Sequence, residues 1–595
     1  MFKKETFKSF AKMAYPRFTK EIEDRLTKHF TFIYGKEKLS FCLDETHKLL
    51  EKYGLGPVNE REDFKKVWTH KDQILITYGD MVKPEPKESI SKLRKLQQFL
   101  NEHVKYWIST IHILPFYPSS SDDGFSVVDY MKVNASLGGW DNIEELSRDF
   151  RLMGDLVMNH TSRHSSWFKS YLKHEEPYND FFIEVDPETD LSAVTRARSS
   201  PLLTPVHAES GEKFVWSTFS EDQIDVKFSN PVLLFRFLNI FLFYIKEGLS
   251  VIRLDAVAFI WKKLGTTCIH LPETHEIVKL FRTIVDFYAP KTTIITETNV
   301  PHKENISYFG DGDEAHMVYQ FSLPPLLLHA ILTENAQYLT TWAQSLKKLP
   351  ENCTYFNFTS SHDGIGVRPL EGLVPLSEFT ALVKGMERRG GFVSEKKNPD
   401  GTFSPYELNI TYFDAFSDYN GSQSLQERRY ICSQIIMLSL RGVPGIYFHN
   451  LMATRNNVKG VSVTGRYRTI NRKKWTYEEL TDSLNDPDTN TYRIFHQYKE
   501  IIKKRNLHSA FHPFGNQKVL AVDNDVFCLE RTATDETEKV LVLANVTGKK
   551  LTVDAEFNDL PLDSSTKYSD ILSDKVCVTN GVVSLAPYQV VWIML

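Results

Sequence analysis

Ser250-Val-Ile-Arg-Leu-Asp255 is a short apolar run that closes on an acid, with an arginine two residues before it. Its length and its Val and Ile suit a buried strand. Side chains alternate along a strand, so Arg253 and Asp255 share one face. Outward from this segment, Ile74–Tyr78, Thr110–Leu114, Gly154–Met158 and Thr292–Thr296 have the same texture, and helix-length amphipathic stretches separate them. That alternation implies βα units and a parallel sheet. Sustained from residue 73 to residue 507, it favours an α/β fold of the (β/α)8 TIM-barrel type over an open sheet.

The remaining chain divides around that barrel. Residues 1–72 carry helical spacing, as in Glu45-Thr-His-Lys-Leu-Leu-Glu-Lys-Tyr53, and read as a helical N-terminal extension. Residues 162–231 and 364–416, rich in Pro, Ser, Gly and charge, break the alternation and read as inserted lobes. Residues 508–595 hold strand runs such as Val540-Leu-Val-Leu-Ala544 between Gly and Asn turns, which suits a C-terminal antiparallel β-sandwich.

Composition narrows the function. The 595 residues are 42% hydrophobic and 25% charged, an ordinary globular balance. Lys+Arg is 71 against Asp+Glu at 76, so nucleic acid is not the expected partner. The six cysteines stand singly, without metal or disulfide spacing, and read as buried thiols in a reducing compartment. The opening MFKKETFKSFAKMAYPRF lacks an apolar core, so no signal peptide is expected. Arg236 and Asn239 interrupt Val232–Ile245, the longest apolar stretch, so a buried helix is expected there and no membrane partner. The expected location is the cytoplasm.

The acids fall where a barrel would use them. Asp155-Leu-Val-Met-Asn-His160, Arg253-Leu-Asp255, Thr296-Glu297-Thr298 and Ser361-His362-Asp363 each close an apolar run. Taken singly, any of these acids could cap a helix or pair with a surface cation. Four sets at successive strand ends would instead converge on the one cavity at the C-terminal face of a barrel. Carboxylates with His and Arg, and no cysteine, suit cleavage of a glycosidic acetal. Arg253 would keep Asp255 ionised, as a nucleophile requires. Desolvation after Ile294-Ile295 would raise Glu297 towards a general acid. Asp363 beside His362 is placed to bind sugar hydroxyls and favour a cationic transition state.

These four segments, in order and spacing, resemble the strand-end motifs of glycoside hydrolase family 13, the α-amylase family. His112-Ile-Leu-Pro-Phe-Tyr-Pro118, Asp122-Asp-Gly-Phe125, Val128-Asp-Tyr130, Gly445-Ile-Tyr-Phe-His-Asn450 and Arg468-Thr-Ile-Asn-Arg472 are similar to its sucrose phosphorylase subfamily. The resemblance implies Asp255 as nucleophile, Glu297 as acid/base and Asp363 as transition-state stabiliser. It further implies Asp122, His160, Arg253 and His362 around the donor glucosyl ring, with Phe125 beneath it. Arg198 and Arg468 are the implied phosphate-side cations, although Ala197 stands where the subfamily carries proline. The implied substrates are a small glucoside and inorganic phosphate, without cofactor or metal, and homodimers are common among such relatives.

Acceptor choice is less directly written. Thr469 replaces an acid of the sucrose enzymes, and the acceptor loop reads Tyr406-Glu407-Leu-Asn409. This combination, with Phe32-Ile-Tyr-Gly35 in the extension, resembles the glucosylglycerate phosphorylases of the subfamily. Losing an acid at 469 favours an anionic acceptor such as D-glycerate, while Glu407 restores one carboxylate. Fructose, fructose 6-phosphate and glycerol are the alternative acceptors; a hydrolase or transglucosidase is the alternative reaction. Gly310-Asp-Gly-Asp313 lacks the further ligands of a calcium loop. His270 and His275 are not at metal spacing. Asn159 resembles a position that helps hold calcium in many amylases, yet the subfamily implies none.

Overall fold

Eight parallel strands close into a barrel in the computed structural model, which describes residues 18–58, 64–398, 400–418 and 421–595. They are β1 (Ile74–Thr77), β2 (Thr110–Ile113), β3 (Arg151–Val157), β4 (Leu249–Asp255), β5 (Thr293–Thr296), β6 (Met317–Tyr319), β7 (Thr354–Phe358) and β8 (Val443–Tyr447). Each strand pairs with its successor in the chain, and β8 returns to β1. Nearly every barrel residue is buried, because side chains fill the interior and helices cover the outside. That double burial is why the strands read as continuous apolar runs.

The acid-bearing segments fall at the ends of β3, β4, β5 and β7. They are therefore not successive, as the sequence suggested: β6 intervenes and runs out into buried Gln320. Three residues long, β6 is too short to give a periodic signal.

Val232–Ile245 lies within a helix, Pro231–Lys246, started by the Asn230 side chain accepting from the Val232 amide at 2.9 Å. A helix apolar on most sides needs cover on both. The barrel supplies one cover. The other is the N-terminal extension, whose helices Lys20–Tyr34 and Leu39–Lys52 lie over the barrel's outer helices. Phe30 and Phe41 close on Phe235 at 5.9 and 5.8 Å between ring centres. His29 bridges Glu276 at 2.7 Å and Thr283 at 3.0 Å on the helix Pro272–Tyr288. The stretch before Phe18 lies outside the described residues, as do residues 59–63.

Two excursions from the barrel frame its C-terminal mouth. After β3, His160–Ser162 pairs with Gln223–Asp225, and Leu203–Ala208 forms a hairpin with Gly211–Trp216. After β7, Ile365–Gly366, Phe392–Lys397 and Phe403–Asn409 make a three-stranded sheet. The C-terminal residues form two antiparallel four-stranded sheets. One is clamped to the barrel's outer layer by Arg531, fully buried, which donates to the carbonyls of Ser439, His512 and Asn516 at 2.8, 2.7 and 3.3 Å.

Arg531→Ala strips the donor from three carbonyls, at about 1–3 kcal/mol for each one left buried and unbonded. A large fall in the thermal unfolding midpoint is expected, with Arg531→Lys falling less. Equal midpoints for wild type and Arg531→Ala would show that this clamp does not hold the C-terminal sheet.

Candidate active site

Parallel pairing sets β3 against β4 so that Asp155 stands opposite Arg253. Both point into the barrel, where Arg253 is almost fully buried. Its Nη1 donates to Asp155 Oδ1 at 2.5 Å and to Asp255 Oδ1 at 2.6 Å. Asp155 also takes a bond from His112 Nε2 on β2 at 2.7 Å. Burial alone would raise Asp155, but His112 and Arg253 hold it below the ordinary carboxylate range.

Asp255 ends β4, and Ala256 follows it in the left-handed region at φ +49. That conformation costs a non-glycine residue about 1–2 kcal/mol. It also aims the Ala256 amide at Glu297 Oε2, 3.1 Å away. Glu297 leaves β5 beside Asp255, with Arg253 Nη2 at 3.9 Å. Burial is the main force raising both carboxyls, and each sits among further negative charge. Arg253 opposes the rise, and it bonds Asp255 at 2.6 Å while standing 3.9 Å from Glu297. Arg253 therefore favours the charged form of Asp255 more than that of Glu297.

The third carboxylate, Asp363, lies beyond β7 within 2.5 Å of Arg468 Nη1. Burial would raise it, but Arg468, His362 and Arg472 pull it far below the usual range. His362 packs face to face on Phe125, with 4.7 Å between ring centres and 4° between planes. Burial takes its imidazole down to about 3, so it is neutral. Phe125 enters through a loop in which Asp122 and Asp123 both adopt positive φ. Gly124 follows at φ +116, and a Cβ there would fall 2.5 Å from the Pro115 carbonyl oxygen. Gln223, from the inserted lobe, ties this loop to the β3 exit, lying 3.1 Å from His160 Nε2 and 3.4 Å from Asp122 Oδ2.

Ten of the residues singled out from sequence line one pocket, about 730 Å³ of open space: Asp122, Phe125, His160, Arg198, Asp255, Glu297, His362, Asp363, Glu407 and Arg468. Arg253 sits beneath its floor. Glu407 is 2% exposed and is gripped at both carboxylate oxygens by Arg468. Arg198 stands 3.8 Å from Glu407, its guanidinium over the rings of Tyr406 and Phe219 at 5.4 and 5.9 Å. Thr469 bonds Thr464 at 2.8 Å and belongs to a wider outer cleft that opens from the pocket.

Sequence reasoning passed over several participants. Asp155 was visible as a lone acid inside an apolar strand, a position that demands a partner. Gln223, Asn299 and Arg368, which also line the pocket, carried no pattern of their own. The Lys262 side chain is only 4% exposed and pairs with Asp225 at 2.7 Å. It also bonds Asn159 Oδ1 at 2.9 Å and the Phe259 carbonyl. An ammonium thus occupies the place beside Asn159 where the resemblance had raised calcium. Among the described residues no group of three or more His, Cys, Asp or Glu is arranged to hold a metal. His270 bonds Tyr308 at 2.9 Å and His275 bonds Glu314 at 2.8 Å.

The alpha amylase catalytic-domain profile matches residues 100–367. The chain belongs to the α-amylase family, glycoside hydrolase family 13. Within it, the chain is similar to a glucosylglycerate phosphorylase of Spirochaeta thermophila, 46% identical over 88% of this chain and 89% of that protein. It is also similar to a glucosylglycerate phosphorylase of Escherichia coli, 42% identical over 96% and 100%. The crystal structure of sucrose 6F-phosphate phosphorylase from Thermoanaerobacter thermosaccharolyticum shares the fold, with a TM-score of 0.69 at 23% identity over 80% of this chain and 94% of that one.

Because burial raises Glu297, the folded state favours its protonated form. The stability it contributes is full below the ordinary carboxyl value of 4.5 and is lost as pH rises through the folded value. Glu297→Gln removes that loss, so its unfolding midpoint should rise relative to wild type as pH climbs above 4.5. A gap that stays constant over that range would mean that Glu297 is not raised.

Proposed function

We propose that the protein is a retaining glucoside phosphorylase that converts 2-O-α-glucosyl-D-glycerate and phosphate reversibly into α-glucose 1-phosphate and D-glycerate. The observation that carries the substrate is the likeness, over nearly the whole chain, to two glucosylglycerate phosphorylases. The chemistry rests on the unequal environments of Asp255 and Glu297, one bonded to Arg253 and one not.

In the first step the Asp255 carboxylate attacks the anomeric carbon. The bond to the glycerate oxygen breaks, and Glu297 gives that oxygen its proton. Asp363, held ionised by Arg468, faces the positive charge that develops on the sugar ring. In the second step a phosphate oxygen attacks the anomeric carbon, the bond to Asp255 breaks, and Glu297 takes the phosphate proton. Two inversions give net retention. Asp122, His160, His362 and Phe125 hold the donor glucosyl ring. Arg198 and Arg468 supply cationic donors for a phosphate dianion that must approach beside carboxylates.

We place this reaction in the cytoplasm, a reading supported by six cysteines that are all buried and unpaired. Among the described residues, no helix is long and apolar enough to cross a membrane.

Phosphate release from α-glucose 1-phosphate, with D-glycerate, fructose, fructose 6-phosphate and glycerol offered separately, tests the reading. Release that depends on D-glycerate is expected. Release dependent on another acceptor would replace the substrate and keep the mechanism. Equal release in water alone would make the enzyme a hydrolase. Glu297→Gln should lose about 10²–10⁴-fold on glucosides that need a proton at the leaving oxygen, and far less on α-glucosyl fluoride. Equal losses on both would remove Glu297 from the acid role.

A further inference from the structure

The pocket's arginines are not equally engaged. Arg253 is bonded to Asp155 and Asp255, and Arg468 to Asp363 and Glu407. Arg472, at the same mouth, is bonded to Asp123 and to the His362 carbonyl. Arg198 lies within 3.8 Å of Glu407. Arg368 is the exception: among the described residues its side chain makes neither an ion pair nor a hydrogen bond. It nevertheless lines the same pocket, with its Nε shut off from solvent and without an acceptor. Leaving a desolvated guanidinium nitrogen unpaired is costly, so such a group marks a place where an acceptor is meant to arrive.

Its surroundings say what kind. Arg368 follows Ile365–Gly366, whose strand pairs with the Tyr406-Glu407 segment, and Val367 donates to the Tyr406 carbonyl at 3.1 Å. Asn299 lies against the same turn, since a Cβ on Gly366 would fall 2.7 Å from its Nδ2. Asn299 also lines the pocket, and its Oδ1 is buried without a donor. Asn299 is two residues beyond Glu297, on the segment that carries the proton donor for the leaving oxygen. The two unmet groups, a cation wanting an anion and a carbonyl oxygen wanting a donor, thus line one pocket on segments that meet at Gly366. A carboxylate on a short chain that also carries a free hydroxyl satisfies both at once.

We propose that Arg368 and Asn299 recognise the acceptor, Arg368 taking its carboxylate and Asn299 accepting from its free 3-hydroxyl, the 2-oxygen being the one bonded to glucose. Arg198 and Arg468 are left to phosphate. The proposal rests on the glycerate reading above and deepens it: the enzyme selects 2-hydroxy acids over neutral polyols through an arginine outside the Arg198–Glu407–Arg468 cluster.

The experiment measures kcat/KM for D-glycerate and for glycerol, with α-glucose 1-phosphate as donor, in wild type, Arg368→Met and Arg368→Lys. Hydrolysis of α-glucosyl fluoride, which needs no acceptor, reports whether each variant is folded and competent. Wild type should prefer D-glycerate. Arg368→Met should lose about 10- to 100-fold of that preference, the worth of one charge-assisted contact, through KM for D-glycerate, and Arg368→Lys should recover part of it. If wild type prefers D-glycerate and Arg368→Met keeps the full preference, the assignment of Arg368 is overturned and the glycerate reading stands. If the loss appears instead in KM for phosphate during phosphorolysis, Arg368 is a phosphate ligand and the proposal is wrong. If wild type does not use D-glycerate, the glycerate reading fails first.

Discussion

The grip of one buried guanidinium on two carboxylates organises the rest of the site. Arg253 reaches Asp155 on the neighbouring strand and Asp255 on its own, both within 2.6 Å. Asp155 in turn is held by His112 from the next strand over. Three barrel strands are thus tied by charge at the level where their side chains begin to face the cavity. A buried arginine is stable only if its charge is matched and its N–H groups are bonded. The barrel register meets that condition by setting Asp155 opposite Arg253. The same grip sets the two carboxyls apart, since it lowers the cost of a negative charge on Asp255 more than on Glu297.

Around that centre the mouth of the barrel is a dense arrangement of opposed charges, held by segments far apart in sequence. Arg468, after β8, joins Asp363, after β7, to Glu407 on the hairpin of the second excursion. Lys262, after β4, joins the β3 exit to the inserted lobe through Asn159 and Asp225. The first tether fixes three side chains that line the pocket, and the second holds the inserted lobe against the β3 exit. Crowding raised carboxyls beside neutralised ones lowers stability, as is expected where a site is built for a reaction.

The barrel and its acids were legible because they obey local rules. Parallel strands buried on two faces give apolar runs, and polar residues at their ends stand out against that background. The pairing of Arg253 with Asp255 followed from strand alternation alone. What escaped was whatever depends on distant pairing. Asp155 needed the β3–β4 register, Gln223 needed the fold of the inserted lobe, and β6 was too short for any period. Arg368 and Asn299 read as ordinary loop residues, because what distinguishes them is the partner each lacks. The N-terminal helices were visible by their spacing, but their role in covering Phe235 and its neighbours was not.

In the proposed mechanism Asp255 carries the glucosyl group between the two half-reactions. The most direct test of this role is to load Glu297→Gln enzyme with α-glucosyl fluoride, which needs no acid to leave, then to quench, digest and weigh the peptides. A glucosyl increment on Asp255, discharged as α-glucose 1-phosphate when phosphate is added, is the predicted result. An unlabelled Asp255 peptide, a label on another residue, or release of the β-anomer would contradict it.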